Sequence, residues 1–435
     1  LQDQPTHSPA RRSFLQHATL AATSLIGTSR AWAGANDRVR VALIGGGGRA
    51  RALINEMLVN TGVDVVAVCD PDRNRLEQRA AEIQAKTGKR PRVEADMRKL
   101  LEDKSVDAVT IATTNHWHAL AAIWACQNGK HVYVEKPVCH NIFEGQRMVD
   151  AARKYKRVMQ GGTQRRSWGR FRRVAELLSQ GVIGDVYMAR CLLTRYRAPI
   201  GFKDTEPAPK WLNWDLWVGP APMQPYHANL VHYNWHFFWD FGNGEIGNNG
   251  SHYIDVVRWF MGKRLPSRVL VAGGRFGPRD QAQTPNVVNA NYQFDDGKIL
   301  ECEVRNVHTP EPSQFHVYGN KGYLYFQEDI FKRKFDYQVY LGDNEKPEPD
   351  MGTHPDLDHF GIFAQAIREN KPNLVSCDIE EARISATYCL MADIAYRLNR
   401  SLTFDPGTER FVSDEQANGM LSRRYREPYV VPEKV

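Results

Sequence analysis

The residues able to do chemistry gather where apolar runs end. After VRVALIG (39–45), Gly45, Gly47 and Ala50 fit the pattern G-x-G-x-x-A. That spacing gives a tight turn, room for a pyrophosphate and close helix–strand packing. Gly48 and Arg49 open the next helix, whose first amides would face phosphates. Asp70 ends a second run, VDVVAVCD (63–70), 25 residues beyond Gly45. A carboxylate there accepts from both adenosine ribose hydroxyls and repels a 2′-phosphate, which favours NAD over NADP. The plain alternatives are an ordinary Asp-Pro turn, or arginines of PDRNR meeting a phosphate. A third unit, 106–138, places Thr113, Thr114, His118, Glu135 and Lys136 at strand ends, with Gln164 beyond the following strand. Ligands of open α/β sheets sit beyond the carboxyl ends of strands. Lys136 before Pro137 would ordinarily be a solvated turn residue; at the end of a buried strand beside a nicotinamide it is a functional candidate.

These residues need a particular frame. Continuous β-branched runs predict strands covered on both faces. Residues 106–112 read as strand, about 117–128 as helix with Gly129 as its stop, and 131–134 as strand. Residues 151–162 read as a short helix–strand link. The fold class is α/β: a doubly wound parallel sheet of the Rossmann type over 34–162, then a domain with a large open, mostly antiparallel sheet over 163–350. Strand-like stretches there are 186–196, 268–276, 286–294, 298–306 and 313–326, with Asp295-Asp296-Gly297 as a hairpin turn. Over 351–435, helices are expected at 359–370 and 379–400. An irregular arm follows, packing on the body or on a neighbouring subunit.

The combination of G-x-G-x-x-A, ATTNHWH (112–118) and Glu-Lys-Pro (135–137) resembles the glucose–fructose oxidoreductase / inositol dehydrogenase / rhizopine-catabolism (Gfo/Idh/MocA) family. The resemblance covers nearly all of the chain beyond its leader. Thr114 stands where that family usually has proline. The resemblance implies the two-domain fold above, and Lys136 as the lysine touching both nicotinamide ribose and substrate hydroxyl. It also implies His252 as general base in GNGEIGNNGSHYID (242–255), where the family pattern is Asp-x-x-x-His. Asn248 occupies the aspartate position. An amide can orient a partner but cannot stabilise imidazolium by charge. Asp255, one helical turn past His252, is expected as a partial substitute. Oxidising a secondary alcohol needs a base, a cation for the developing alkoxide and a hydride acceptor; His252 and Lys136 would supply the first two. Tyr233 and Trp235 are candidate substrate contacts. Six of the ten tryptophans fall in 211–260. They suit either a sugar-binding platform or a packed interdomain core, and for most of them the core is expected.

Composition sets the outer limits. The 435 residues carry 42% hydrophobic and 25% charged residues and a net charge of +7. The basic residues are spread along the chain, so no nucleic acid is expected as a partner. No apolar run suits a mature membrane span. Seven scattered cysteines show neither a disulfide framework nor zinc spacing, so no metal is expected and folding in a reducing compartment is. Residues 1–33 nevertheless read as a twin-arginine export signal: a polar start, Arg11-Arg12-x-Phe-Leu, an apolar stretch and Ala31-Trp32-Ala33. The sequence opens on Leu1, as an unusual start codon or missing residues would give. Together these features point to a periplasmic or otherwise exported NAD(H)-dependent oxidoreductase. Its substrate would be a sugar, glycoside or polyol, and it is expected to be a homo-oligomer, dimer or tetramer. The alternatives are an NAD-dependent glycosidase working by transient oxidation, and a non-catalytic sugar-binding protein.

Overall fold

The computed structural model describes residues 38–435 apart from 61, 330–333 and 345, and the side chains of 328–335 are likewise outside the description. The export leader read in residues 1–33 lies outside the described residues. Strands β1 (Val39–Ile44), β2 (Val63–Cys69), β3 (Arg92–Glu94), β4 (Ala108–Ile111), β5 (His131–Val134) and β6 (Met159–Gly161) form one parallel sheet in the order β3-β2-β1-β4-β5-β6. Val41, Ala42, Leu43 and Ile44 are all buried, because helices cover both faces of this sheet. Strand order reverses between β1 and β4, which opens a crevice at their carboxyl ends.

The helices around it are α1 (Gly48–Val59), α2 (Arg73–Thr87), α3 (Met97–Leu101), α4 (Asn115–Gln127) and α5 (Ile142–Lys154). Asp72 starts α2 by accepting the N–H groups of Asn74 and Arg75, and Gly88 ends it at φ 72°. Helix α5 begins nine residues before the link read at 151–162. Its start is fixed by Asn141, whose side chain accepts the Glu144 N–H.

The second sheet runs β13-β12-β11-β7-β10-β9-β8-β14-β15. Its strands are β7 (Val186–Thr194), β8 (Arg268–Gly274), β9 (Val287–Gln293), β10 (Ile299–Arg305), β11 (Gln314–Gly319), β12 (Gly322–Asp329), β13 (Lys334–Leu341), β14 (Leu402–Asp405) and β15 (Arg410–Phe411). Only β7 and β10 run parallel; the other pairs are antiparallel. The stretch 313–326, read as one strand, is a hairpin that turns at Asn320-Lys321. Helices α6 (Gly169–Ser179), α7 (Trp214–Val218), α8 (Ser251–Met261), α9 (His359–Arg368), α10 (Ile379–Leu398) and α11 (Glu415–Asn418) complete the fold. Of these, α6, α8 and α10 share a core with the second sheet. Helix α9 instead puts Phe360, Phe363 and Ala364 into the core of β1, α1 and β2. The chain thus returns to its first half at α9, joins the second sheet again through α10, β14 and β15, and ends with Glu433 accepting from Arg147 of α5.

The terminal arm is held by named bonds. Arg426 donates to the Asp215 carboxylate (2.6 Å), the Asp215 carbonyl (2.8 Å) and the Gly219 carbonyl (2.9 Å). Tyr429 donates to Asp215 and packs edge-on against Trp117. All seven cysteines are buried and unpaired. No helix among the described residues is long and apolar enough to cross a membrane.

Candidate active site

A cleft of about 630 Å³ opens along the carboxyl ends of β1, β2, β4 and β5. At its floor Gly45 has φ 100°, and a Cβ there would come within 2.5 Å of the Ala112 carbonyl oxygen. Only glycine fits. A Cβ at Gly47 or Gly48 would meet nothing within 4 Å, so both face open space. Helix α1 starts here with no side-chain cap and no acidic residue in its first turn, which leaves its amides free for an anion. Ala50 is fully buried and acts through helix packing rather than contact. Asp70 lines the same cleft. Its two carboxylate oxygens accept the Gly46 N–H (2.5 Å) and the Asp72 N–H (2.8 Å). Burial raises its pKa to about 6, against the pull of those bonds. These residues fit a dinucleotide: Gly47, Gly48 and the first amides of α1 would hold the pyrophosphate, and Asp70 the adenosine ribose. When bound, NAD supplies the hydride acceptor.

Several residues expected as cofactor ligands line the cleft but spend their polar atoms on the protein. His118 sets Nδ1 2.7 Å from the Pro137 carbonyl and Nε2 3.2 Å from that of Thr113. Burial lowers its pKa, and a neutral ring has one N–H to donate, to the nearer carbonyl, that of Pro137 after β5. Glu135 is buried, yet Arg49 (2.7 Å) and Gln164 (2.9 Å) both donate to one of its oxygens. Burial would push its pKa up; Arg49, Lys136 and Gln164 together bring it below the usual carboxylate range. Thr113 and Thr114 line the cleft between these side chains.

Lys136, Tyr233, Trp235, Asn248 and His252 also converge on the cleft. Lys136 Nζ donates to the Asn248 carbonyl (2.6 Å) and more weakly to its Oδ1 (3.4 Å). Burial lowers the ammonium pKa to about 8 although Glu135 and Glu245 both favour its charge. Asn248 sits in a π-helical turn, Ile246–Gly250, immediately before α8; such turns recur at functional sites. His252 is in the first turn of α8 with Nδ1 buried and unpartnered. Burial, then Lys136, Arg165 and Arg49, hold its pKa well below the ordinary histidine value. At neutral pH the cleft therefore presents a charged lysine and a neutral imidazole, the states needed by an alkoxide stabiliser and a base. Trp235 stacks on His236, with ring centroids 3.6 Å apart, while Tyr233 is 47% exposed.

Asp255 is a correction. It faces away from the cleft and does not support His252. Its carboxylate binds Arg166 through both oxygens (2.9 and 3.1 Å to Nε) and accepts from Ser385 (2.7 Å). The charge near Asn248 comes instead from Glu245, which the sequence reading did not single out. Glu245 is 1% exposed; it accepts from Asn248 Nδ2 (3.3 Å), from Asn249 and from Arg197 (3.0 Å). Its place one turn before Asn248 was visible in the sequence. The π turn that brings the two together was not. Most of the tryptophans of 211–260 pack as expected for a core: Trp217 and Trp235 are buried in one aromatic cluster against which Trp211 and Trp214 pack. Of these six only Trp217 and Trp235 line the cleft, together with Trp117 from α4.

Residues 39–163 match the family model described as the oxidoreductase family, NAD-binding Rossmann fold, and residues 201–431 match the C-terminal alpha/beta domain of the same family. The chain belongs to the Gfo/Idh/MocA oxidoreductase family. It is 24% identical over 336 residues to a levoglucosan dehydrogenase from Pseudarthrobacter phenanthrenivorans, covering 71% of this chain and 78% of that protein. It is 39% identical over 133 residues to a glycosyl hydrolase family 109 protein from Stenotrophomonas maltophilia, 29% of each chain. Among solved structures, the WlbA dehydrogenase from Bordetella pertussis, in complex with NADH and UDP-GlcNAcA, superposes with a TM-score of 0.65. At 19% identity, over 85% of this chain and 98% of that one, it shares the fold.

Proposed function

We propose that this Gfo/Idh/MocA protein is an exported oxidoreductase that acts on a secondary hydroxyl of a sugar, glycoside or polyol and keeps its NAD bound. The observation carrying this reading is the cleft itself: a glycine-lined groove leading to a charged lysine and a neutral, unpaired histidine. Lys136 holds the hydroxyl oxygen and the charge that grows there; His252 takes the proton. The likeness to a levoglucosan dehydrogenase supports a sugar substrate. Residues 1–33 support export of a folded protein. Outside the cytoplasm no NAD pool recharges a released cofactor, so the bound one must be restored in place. A second reading, redox-neutral glycoside cleavage, draws support from the family 109 likeness. There, oxidation of a ring hydroxyl would be followed by elimination, water addition and re-reduction.

Purification tests both readings. NAD(H) is expected to copurify in near-stoichiometric amount and to survive dialysis, and conversion of sugars is expected to need no added NAD. A glycoside deuterated at ring C3 separates the two: cleavage with an isotope effect supports the second reading, sugar-to-sugar hydride exchange the first. Protein that purifies empty and steadily releases NADH from added NAD would defeat retention. Replacing Arg11 and Arg12 with Lys should leave uncleaved precursor in the cytoplasm.

A further inference from the structure

Strand β7 sends Ala189, Cys191 and Leu193 into the helix-covered core, while Arg190 pairs with Glu303 (2.9 Å). Odd positions thus face the helices and the cleft, as the two-residue period of a strand requires. Pairing with the end of β10 continues past the strand: Arg195 N–H donates to the Arg305 carbonyl (3.0 Å) and Arg197 N–H to that of Asn306 (2.9 Å). The step from Arg195 to Arg197 is matched by only one residue, 305 to 306, so regular alternation ends here and each arginine is placed by its own contacts. The two differ in what they meet. Arg197 is neutralised by Glu245 and lies over the Tyr233 ring, 5.3 Å from its centroid. Arg195 lines the cleft, and among the described residues its guanidinium has no hydrogen-bond or ion-pair partner. Its backbone is fixed, since buried Asn306 also donates its side-chain amide to the Arg195 carbonyl (2.8 Å). The result is a cation with a rigid base and an unused head. Lys136 and Arg195 both line the cleft. Glu135 and Glu245 favour the lysine's charge and Arg197 is paired with Glu245, which leaves Arg195 as the cation without a carboxylate partner among the described residues.

We propose that Arg195 receives an oxyanion carried by the sugar, either the carboxylate of a uronic acid or a sulfate ester. This rests on the sugar-oxidoreductase reading above and narrows it to acidic sugars. A planar guanidinium suits paired contacts to either group.

The probes are methyl glucoside and galactoside, the matching methyl uronides and the 6-sulfates. Binding is followed by quenching of the cleft tryptophans, and oxidation by absorbance of the reduced cofactor. The holoprotein should bind one anionic series at least tenfold more tightly than the neutral sugars, as expected for a charged hydrogen bond. The tighter series identifies the oxyanion. Arg195→Met should erase that preference while leaving neutral binding and melting temperature unchanged, and Arg195→Lys should keep part of it. Equal binding of neutral and anionic sugars, or equal loss of both in Arg195→Met, overturns the proposal. If neutral sugars are oxidised without any anionic preference, the oxidoreductase reading stands and this one falls. If no probe binds or reduces the cofactor, both fall.

Discussion

Burial disfavours the charged form of both Lys136 and His252. The lysine stays charged at neutrality because its ordinary pKa is far higher and Glu135 and Glu245 favour its charge, while the cations around His252 add to the effect of burial. Neutral imidazole and charged ammonium coexist from below neutrality up to about pH 8, the value to which burial lowers Lys136. Oxidation is therefore expected to be flat with pH through neutrality and to fall above about pH 8, as the lysine loses the proton that stabilises an alkoxide. Glu245 favours the charged lysine. Glu245→Gln should shift the alkaline fall to lower pH, and the freed Arg197 pushes in the same direction; the kcat–pH profile is the measurement. A fall that does not move would detach Glu245 from the lysine. Lys136→Met and His252→Ala should each lower turnover by roughly 10²–10⁴-fold, with NAD retained on gel filtration.

At the scale of elements, the site hangs on how α8 is fixed. Asp255 and Arg166 form a pair with 1% and 9% of their side chains exposed, tied to α10 through Ser385 and Glu381. Asp255→Asn removes the nearer charge partner of a buried guanidinium, leaving Glu381 at 3.7 Å, and should cost up to about 3–5 kcal/mol, read as a lower melting temperature with kcat changed only a few-fold. Arg166 holds the Asp255 carboxyl below its usual range against the effect of burial. A depressed carboxyl contributes stability above its unfolded pKa and loses it as pH falls through the lower folded one. The wild type's advantage over the variant should therefore fade in acid. The sequence made the parallel sheet and its strand ends legible, because glycine spacing and β-branched runs are local signals. Lys136 was legible for the same reason, standing one residue after a buried strand's neighbour Glu135. Asp255 was misread because i, i+3 spacing says which residues share a helix face and not which neighbour claims a carboxylate. The hairpin at 320–321 was missed although Gly319 and Gly322 flank it, because strand-type alternation continues on both sides of the turn, and Glu245 because a π turn has no repeating pattern.

At the scale of the molecule, the arm after α11 reaches back across the first half of the chain to clamp α7. Leu216 and Trp217 of α7 line the cleft, so the clamp is part of the cofactor's wall. Arg426→Ala removes bonds to Asp215 and Gly219 and should weaken NAD retention roughly tenfold, the worth of a charged hydrogen bond. Its kcat at saturating NAD should be nearly unchanged. Dialysis followed by quantification of bound cofactor checks this, and full retention would show that α7 holds without the arm. The buried cysteines have a consequence of another kind. Cys69 and Cys126 belong to the first sheet's half, and Cys191 and Cys302 face each other across β7 and β10 in the second. A thiol reagent can reach any of them only when the surrounding structure opens. The order in which the four become labelled therefore reports, without any introduced probe, whether the halves come apart together or one before the other.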